Sequence, residues 1–166
     1  MSAVRDFEAR RAEAARVAGA VVDPELPVLS IADLGVLRGV TVVDGRIEVA
    51  ITPTYSGCPA MHAIANEIET ALARAGLGPA KVNLVLSPAW TTDWMTEDGR
   101  RKLKEYGVAP PAEGVRHLPL FGKEVVPCPR CDGTDTHRIS AFGSTSCKAL
   151  WRCNTCREPF DHFKCH

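Results

Sequence analysis

The amino-acid sequence predicts an α+β fold, a small sheet with helices on one face, followed by a separate metal-binding module at the C-terminus. Three observations support this prediction. Two strand patterns flank the turn dipeptide Asp44-Gly45, and an amphipathic helix pattern occupies residues 61–75. Two Cys-x-x-Cys pairs lie within the last forty residues, where they have the spacing of metal ligands.

The composition is ordinary for a soluble globular protein. Of the 166 residues 45% are hydrophobic and 24% are charged, and the formal net charge is zero. A protein that binds nucleic acid through its phosphates is usually basic, so we expect no nucleic acid partner. Residues 1–22 are too charged for a signal peptide, and no apolar run reaches the length of a membrane span. With seven cysteines and no secretion signal, we expect a cytoplasmic protein whose thiols bind metal or react.

The first helix and the hairpin are predicted from caps, turns and alternation. Ser2 suits the N-cap of the first helix, which Pro24 ends. Strands are predicted at residues 40–43 and 46–51, because apolar and polar side chains alternate in the second of them. The dipeptide Asp44-Gly45 between them favours a two-residue type I′ turn.

The second helix is the clearest in the chain, because its apolar residues repeat at spacings of three and four. These residues are Met61, Ile64, Ala65, Ile68, Leu72 and Ala75. Gly76 suits the end of this helix. A third strand at residues 81–86 and a short helix after the N-cap Thr96 complete the predicted domain.

A change in composition divides the chain. The consecutive prolines Pro110 and Pro111 end the last helix pattern, so we place a linker there. The predicted parts are a first domain at residues 1–108, a linker at residues 109–126 and a ribbon at residues 127–166.

Four cysteines are predicted to hold a zinc ion in a zinc ribbon: Cys128, Cys131, Cys153 and Cys156. Each Cys-x-x-Cys spacing lets two thiolates converge from one tight turn, and four thiolates complete a tetrahedral shell. Such a closed shell has no open position for a substrate, so we expect a structural ion. The aromatic residues around it are expected to form a docking surface: Trp151, Phe160 and Phe163.

Two further positions in the ribbon depart from a simple pattern. Glycine often follows the second cysteine of a knuckle, where a positive φ is useful, but Asp132 and Arg157 stand there. The turns are therefore expected to differ slightly.

Two cysteines of the ribbon, Cys147 and Cys165, lie outside the two pairs. Each could replace a ligand, form a second labile site, or be a packed or idle thiol.

Cys58 is the candidate reactive thiol of the first domain. It lies directly after a strand and before the main helix, and Pro59 suits the first helical position. The helix dipole and free N–H groups are expected to lower the pKa of this thiol. The alternative is a buried cysteine that acts as a small hydrophobe. His62, one turn later, could be a base or a ligand, but it falls off the apolar stripe and is more simply a solvated residue.

Two other features of the first domain are candidates for a role in the site or in the core. Asp23 and Glu25 flank one proline, and they could cap a helix, accept hydrogen bonds from a neighbouring loop or ligate a hard metal ion. A cap and turn is the favoured interpretation, because Asp-Pro is common in turns. Trp90 and Trp94 lie one helical turn apart and are expected to form a core or lid contact.

Together these motifs resemble the metal–sulfur cluster assembly domain of the SufT-like family over about residues 8–108. The resemblance rests on Asp23-Pro24-Glu25, on Ile31-Ala-Asp-Leu-Gly35-Val36 and on Thr52-Pro-Thr54 followed by Gly57-Cys58-Pro59. It implies that Cys58 is a reactive thiol or a ligand of iron or of an iron–sulfur cluster. The supporting residues that it implies near this thiol are Asp23, Glu25, Thr54 and His62.

Residues 142–165 resemble the zinc-ribbon tail of the PaaD-type proteins of phenylacetate degradation, which are also called PaaJ. This resemblance implies an accessory component of the multicomponent phenylacetyl-CoA 1,2-epoxidase of aerobic phenylacetate catabolism. The implied partners are its di-iron oxygenase and its iron–sulfur reductase, with a homo-oligomer also open. The implied role is maturation of their metal centres through a transiently held iron or iron–sulfur cluster.

The residues agree with an accessory role, and we assign no catalytic residue. The chain has no Glu-x-x-His pair of a di-iron bundle, no dinucleotide fingerprint and no phosphate-binding loop. We therefore expect no catalytic activity from the protein alone. Three alternatives stay open: a structural component that bridges the complex, a hydrolase with a Cys58 nucleophile and a His62 base, and a nucleic-acid-binding ribbon, which the zero net charge disfavours.

Overall fold

The computed structural model describes residues 2–112 and 124–164, without side chains for residues 2–5. The chain divides into two compact units. The first comprises Met1–Trp90 and Trp94–Thr96, and the second comprises Thr91–Asp93 and Glu97–His166. No helix in the described part of the chain combines the length and the apolar character needed to cross a membrane.

The first unit is a three-stranded sheet with two helices. Its elements are α1 (Ser2–Gly19), β1 (Leu37–Val43), β2 (Arg46–Ile51), α2 (Ala60–Arg74) and β3 (Ala80–Leu84). The strand order is β1-β2-β3, with β1 antiparallel and β3 parallel to β2. Both helices pack against the sheet and against each other. The predicted fold class is therefore confirmed.

The sheet hides one face and exposes the other. In register across the three strands, Val40 lies opposite Val49, which lies opposite Val82. Buried side chains of β2 alternate with exposed or half-buried ones, as the strand pattern predicted. Val40, the buried residues of β2 and the buried residues of α2 belong to the core, because that face is the one the helices can cover.

The turn of the hairpin has the conformation that its two residues favour. Asp44 and Gly45 have φ values of 49° and 77°, which confirms the predicted type I′ turn. The strand β1 begins at Leu37, earlier than predicted, because it continues through a bulge between Leu37 and Gly39. The strand β3 ends at Leu84, earlier than predicted, where its pairing with the end of β2 stops.

The segment β2-α2-β3 is a parallel crossover, and it determines where the Cys58 loop lies. Parallel strands run in the same direction, so α2 must carry the chain back from the carboxyl end of β2 to the start of β3. The loop between β2 and α2 therefore lies at the carboxyl end of both strands. In open sheets with such crossovers, this is the end where ligands usually bind.

The tryptophans of the first unit hold the segment that precedes β1. Trp90 is buried, and its indole N–H donates to the carbonyl of Leu34 at 2.8 Å, which confirms a core contact. Trp94 is half-buried, and the Arg38 guanidinium lies 3.5 Å from the centre of its ring. Gly35 has a φ of +70°, and a Cβ there would overlap with the backbone of Trp94.

The second unit contains the ribbon and two elements before it. Its elements are α3 (Glu97–Tyr106), β4 (Val108–Ala109), β5 (Thr136–Ser140), β6 (Lys148–Cys153) and β7 (Pro159–Phe163). The strand order is β4-β7-β6-β5, in which β4 runs parallel to β7 and the other pairs are antiparallel. The short strand β4 thus extends the ribbon sheet by one strand.

The helix α3 clusters with the ribbon, so the division between the compact units falls earlier than the predicted boundary at residue 108. Its Arg100 guanidinium donates to the carbonyls of Thr92 and Pro111, each at 2.6 Å. Its Lys104 ammonium pairs with the Asp132 carboxylate at 2.5 Å. This ion pair and the pairing of β4 with β7 are long-range in sequence, which is why the proline run alone did not indicate them.

We expect Gly35→Ala to destabilise the protein more than Gly45→Ala. Both glycines have positive φ, so each alanine introduces backbone strain of about 1–2 kcal/mol. Only the Cβ at residue 35 also overlaps with Trp94, whereas nothing lies within 4 Å of one at residue 45. This overlap should add about 1–3 kcal/mol. Urea unfolding of both variants measures the difference, and equal losses would contradict the close contact with Trp94.

Candidate functional site

The four predicted zinc ligands converge in the ribbon. The Sγ atoms of Cys128, Cys131, Cys153 and Cys156 all lie within 4.8 Å of one another, and among the described residues they form the only such group of three or more potential ligands. The Sγ atoms of Cys128 and Cys156 are 3.7 Å apart, and those of Cys131 and Cys153 are 3.6 Å apart. A metal–sulfur bond of about 2.3 Å gives a tetrahedron with edges of about 3.8 Å. The thiols therefore fit a tetrahedral metal ion.

Backbone hydrogen bonds fix each pair of cysteines in a knuckle. In the first, the Cys128 N–H donates to the Gly133 carbonyl at 2.9 Å, and the Asp132 N–H donates back to the Cys128 carbonyl at 2.9 Å. In the second, the Cys153 N–H donates to the Glu158 carbonyl at 3.0 Å, and the Cys156 N–H points at the Cys153 sulfur at 3.5 Å. N–H groups aimed at sulfur favour the thiolate form that binds metal.

In each knuckle, the residue after the second cysteine has a left-handed backbone conformation, although it is not a glycine. Asp132 has a φ of 58° and Arg157 a φ of 66°. The expected difference in the turns is therefore absent at these two positions. A non-glycine residue there carries a strain of about 1–2 kcal/mol, which the rest of each knuckle must offset. The pairing of Lys104 with Asp132 supplies one such contact.

The pKa values of Cys131 and Cys153 are shifted in opposite directions. The Gly133 N–H lowers the pKa of Cys131, but hydrogen bonding to Cys153, burial and the other two thiols raise it to about 12. The Cys156 N–H, followed by smaller contributions, holds the pKa of Cys153 at about 6 despite burial. One thiolate so close to the others opposes further ionisation. A metal ion removes this conflict, since it binds all four as thiolates.

The other predictions for the ribbon concern its two further cysteines and its aromatic residues. Cys147 is buried, its sulfur lies 3.0 Å from the Thr145 hydroxyl, and it is not part of the ligand group. Cys165 lies outside the described residues. The expectation that Trp151, Phe160 and Phe163 form a docking surface is wrong, because all three are buried. Trp151 and Phe160 belong to the same buried apolar cluster as Cys128 and Cys153.

Cys58 lies where the sequence predicted it, between the end of β2 and the start of α2. Gly57 before it has a φ of 78°, and the Cys58 N–H donates to the Tyr55 carbonyl at 3.2 Å, so the loop closes on itself. Pro59 takes the N-cap position with helical φ and ψ, and α2 begins at Ala60. The Cys58 side chain is only 7% exposed.

The predicted low pKa of Cys58 is wrong, because its pKa is raised. Burial is the largest cause, and the negative charges of Glu25 and Asp23 raise it further. The Ala60 N–H and a hydrogen bond from the Tyr55 side chain lower it, but they do not prevail. The end of the helix favours the thiolate, but it does not outweigh burial and the two carboxylates, which lie far away in the sequence. The thiol is therefore neutral near pH 7 as long as no cation is bound.

The carboxylates near this thiol have different local roles. The Asp23 carboxylate is buried and accepts hydrogen bonds from the N–H groups of Glu25 and Leu26 at 2.7 and 3.0 Å. This confirms the prediction that it caps a turn. Glu25 is half-buried and has the larger electrostatic effect on Cys58. Both charges act on the thiol, although the three groups are not close enough to form a compact ligand set.

The other predicted site residues are less involved. Thr54 is buried in the loop before Cys58, and His62 is exposed on α2, as expected for a solvated residue off the apolar stripe. Tyr55 is the residue that the sequence reasoning missed, since it hydrogen-bonds the thiol. Nothing in its spacing marks it, because its position depends on how the loop closes between β2 and α2.

Both parts of the chain match known families. Residues 13–84 match the family described as iron–sulfur cluster assembly protein, and residues 113–164 match the PaaD zinc beta ribbon domain. A solved domain of unknown function from Bacillus anthracis aligns with a TM-score of 0.56 and 26% identity, over 60% of this chain and 96% of that one. SufT of Staphylococcus aureus (strain USA300), an Fe-S protein maturation auxiliary factor, is 40% identical over 46% of this chain and 88% of its own.

The fold and the two groups of thiols thus define an iron–sulfur cluster assembly domain joined to a zinc ribbon. A putative component of the 1,2-phenylacetyl-CoA epoxidase of Escherichia coli (strain K12) is 52% identical over 145 residues, 87% of each chain. The chain belongs to the PaaD family of phenylacetyl-CoA epoxidase components.

We expect Cys153→Ala to release the metal ion and to loosen α3 as well as the ribbon. Closed four-cysteine sites contribute on the order of 10 kcal/mol of apparent binding free energy near neutral pH. Metal analysis and hydrogen exchange should show metal loss and faster exchange in α3 and in β4 to β7, with the first unit unchanged. Cys147→Ala is the control and should retain the metal. Full metal retention by Cys153→Ala would contradict the four-thiol site.

We expect Glu25→Gln to accelerate alkylation of Cys58. The negative charge of Glu25 raises the pKa of this thiol, so its removal lowers the pKa and increases the thiolate fraction at pH 8. The rate with iodoacetamide, followed by mass spectrometry of the peptide that contains Cys58, should rise several-fold. Glu69→Gln, on the exposed side of α2, is the matched control. Equal rates in both variants and the parent would show that Glu25 does not act on the thiol.

Proposed function

We propose that this protein is an accessory factor that delivers iron or an iron–sulfur cluster to the oxygenase or reductase of the phenylacetyl-CoA 1,2-epoxidase in aerobic phenylacetate catabolism. It acts in the cytoplasm and has no catalytic activity of its own. Membership of the PaaD family and the match to iron–sulfur cluster assembly proteins support this role. The observation that carries it is the Cys58 thiol, held beside two carboxylates at the carboxyl end of parallel strands.

The charge around Cys58 suits a transient metal ligand. The neutral thiol is poorly nucleophilic, and the negative charges of Asp23 and Glu25 attract a cation. When iron arrives as substrate, the Sγ–H bond breaks, the proton passes to water and an Sγ–Fe bond forms without any change in oxidation state. When iron leaves, the thiol takes a proton back. The raised pKa favours this return and so favours release to a client.

A single thiol cannot complete the shell of an iron–sulfur cluster, which takes up to four cysteine ligands. The other ligands must therefore come from the client or from a second copy of the chain. An incomplete shell keeps the bound iron exchangeable. Thr54 and Tyr55 line the same loop, and we assign them a supporting role at this site.

The ribbon has a different task. Its four thiols leave no open coordination position, so we propose that they hold a structural zinc ion and take no part in transfer. Zinc suits four thiolates in a tetrahedral arrangement and does not change oxidation state. The ribbon then provides a stable module for contact with the epoxidase components.

A structural bridging role is the second candidate. The burial of Cys58 and its raised pKa are also what an inert packed cysteine would show. The same observation weighs against a hydrolase, because a nucleophile needs the thiolate and His62 is exposed on α2.

We expect Cys58→Ser to preserve the fold and to abolish activation of the epoxidase in cells. Serine keeps the size of the side chain but is a poor ligand for iron, so the oxygenase or reductase should be recovered short of iron. Iron content and epoxidase activity of the purified components measure this. Cys147→Ser is the matched control, a second buried cysteine outside both sites. Fully metallated clients in Cys58→Ser cells would leave only the bridging role.

A further inference from the structure

The strand β3 forms one edge of the first sheet, and no other described strand pairs with its outer side. In the part of the chain that the structure describes, β3 pairs with β2 alone. The Pro79 carbonyl and the Val85 N–H both bond β2, at 3.0 and 2.8 Å. Parallel ladders use alternate residues of a strand, so the backbone groups of Val82 and Leu84 point away from the sheet. They offer donors and acceptors to another strand.

Two exposed leucines lie along this edge. Leu84 is 53% exposed and Leu86, just beyond the strand, is 64% exposed. Among the described helices and strands, β3 packs only against β2 and α2. Apolar side chains beside unpaired backbone groups are the combination that a further strand recognises.

The other sheet edges of the described residues are protected. Bulges interrupt β1 between Leu37 and Gly39 and β5 between Arg138 and Ser140, and β4 is only two residues long. Bulges and short strands are the usual devices that prevent added strands. The strand β3 has neither, because its pairing with β2 is regular over five residues.

The edge strand β3 ends at the same end of the sheet as the loop that carries the candidate thiol. The strands β2 and β3 are parallel, so Leu84 and Leu86 lie at the same end of the sheet as the loop that carries Cys58. A protein segment held at this edge would therefore lie at the end of the sheet from which iron would leave.

We propose that the outer edge of β3 binds an extended segment of the client as an added strand, with apolar side chains packed on Leu84 and Leu86. This inference rests on the proposed maturation role. Only an extended chain matches a row of outward N–H and carbonyl groups. One five-residue strand with two leucines offers far less than the roughly 800 Å² per partner of a stable interface. A contact of that size suits a client that binds and leaves, and it does not suit a permanent dimer.

Hydrogen exchange on the full-length protein tests strand addition. The probes are the purified oxygenase and reductase components of the epoxidase, each without its metal. We expect the amides of Val82 and Leu84 to exchange quickly in the free protein and slowly once one component is added. The amide of Val85 should be protected in both states, because it already bonds β2. Unchanged exchange at Val82 and Leu84 in a complex that does form would overturn the proposal.

Binding measurements with variants test the side chains. Lysine at both positions, Leu84→Lys with Leu86→Lys, should weaken binding by at least about ten-fold, because it removes the apolar contact. Val43→Lys is the matched control, since Val43 is 48% exposed at the opposite edge of the sheet. It should bind like the parent, and thermal unfolding should show that both proteins are folded. Parent-like affinity of the double variant would overturn the proposal.

Two further outcomes separate this inference from the maturation role. A dimer of the free protein in which Val82 and Leu84 are already protected would assign the edge to a second copy and overturn the client assignment, as would the absence of binding to either component. Cys58→Ser should bind the client as tightly as the parent. If binding follows the prediction but Cys58→Ser cells contain fully metallated clients, the docking edge stands and the maturation role fails.

Discussion

The parallel pairing of β2 with β3 is the constraint on which the arrangement of the first unit depends. Because parallel neighbours need a crossover, α2 must begin where β2 ends, and the loop between them is confined to one end of the sheet. Cys58 occupies that loop, directly before the N-terminus of α2, and the charges of Glu25 and Asp23 act on it. The same pairing leaves β3 as the outer strand. A single topological feature thus fixes both the thiol and the edge beside it.

The electrostatic surroundings of the four ribbon thiols differ from those of the single thiol of Cys58. In the ribbon, four sulfur atoms lie within 4.8 Å of one another, the pKa of Cys131 is raised to about 12, and a cation bound to all four would favour their thiolate forms. At Cys58 one thiol is kept protonated first by its burial and then by the negative charges of Glu25 and Asp23. Four thiols of the chain would fill every coordination position of a tetrahedral ion in the ribbon. In the function that we propose for Cys58, a single thiol leaves most positions to other molecules, which is what exchange between proteins requires.

Local signals in the sequence predicted much of the fold. The Asp44-Gly45 turn, the apolar stripe of α2 and the two cysteine pairs each act over a few residues, and the structure contains all three. The raised pKa of Cys58 depends instead on its burial in the folded domain and on carboxylates more than thirty positions earlier in the chain, which only the folded loops bring near. The contact from Tyr55 likewise depends on the closed loop. The membership of α3 in the second unit depends on a strand of two residues, too short for any periodicity to reveal.

That short strand has a practical consequence for dissecting the protein. Val108 and Ala109 cover the side of β7 that β6 does not pair with. A fragment that starts at residue 127 would hold all four metal-binding cysteines and would still present β7 as a bare edge between buried aromatic side chains. Edges of that kind recruit other chains. Insolubility of such a fragment would therefore result from the position of the cut. A fragment that begins at Glu97 would keep β4, which pairs with β7 and covers that edge.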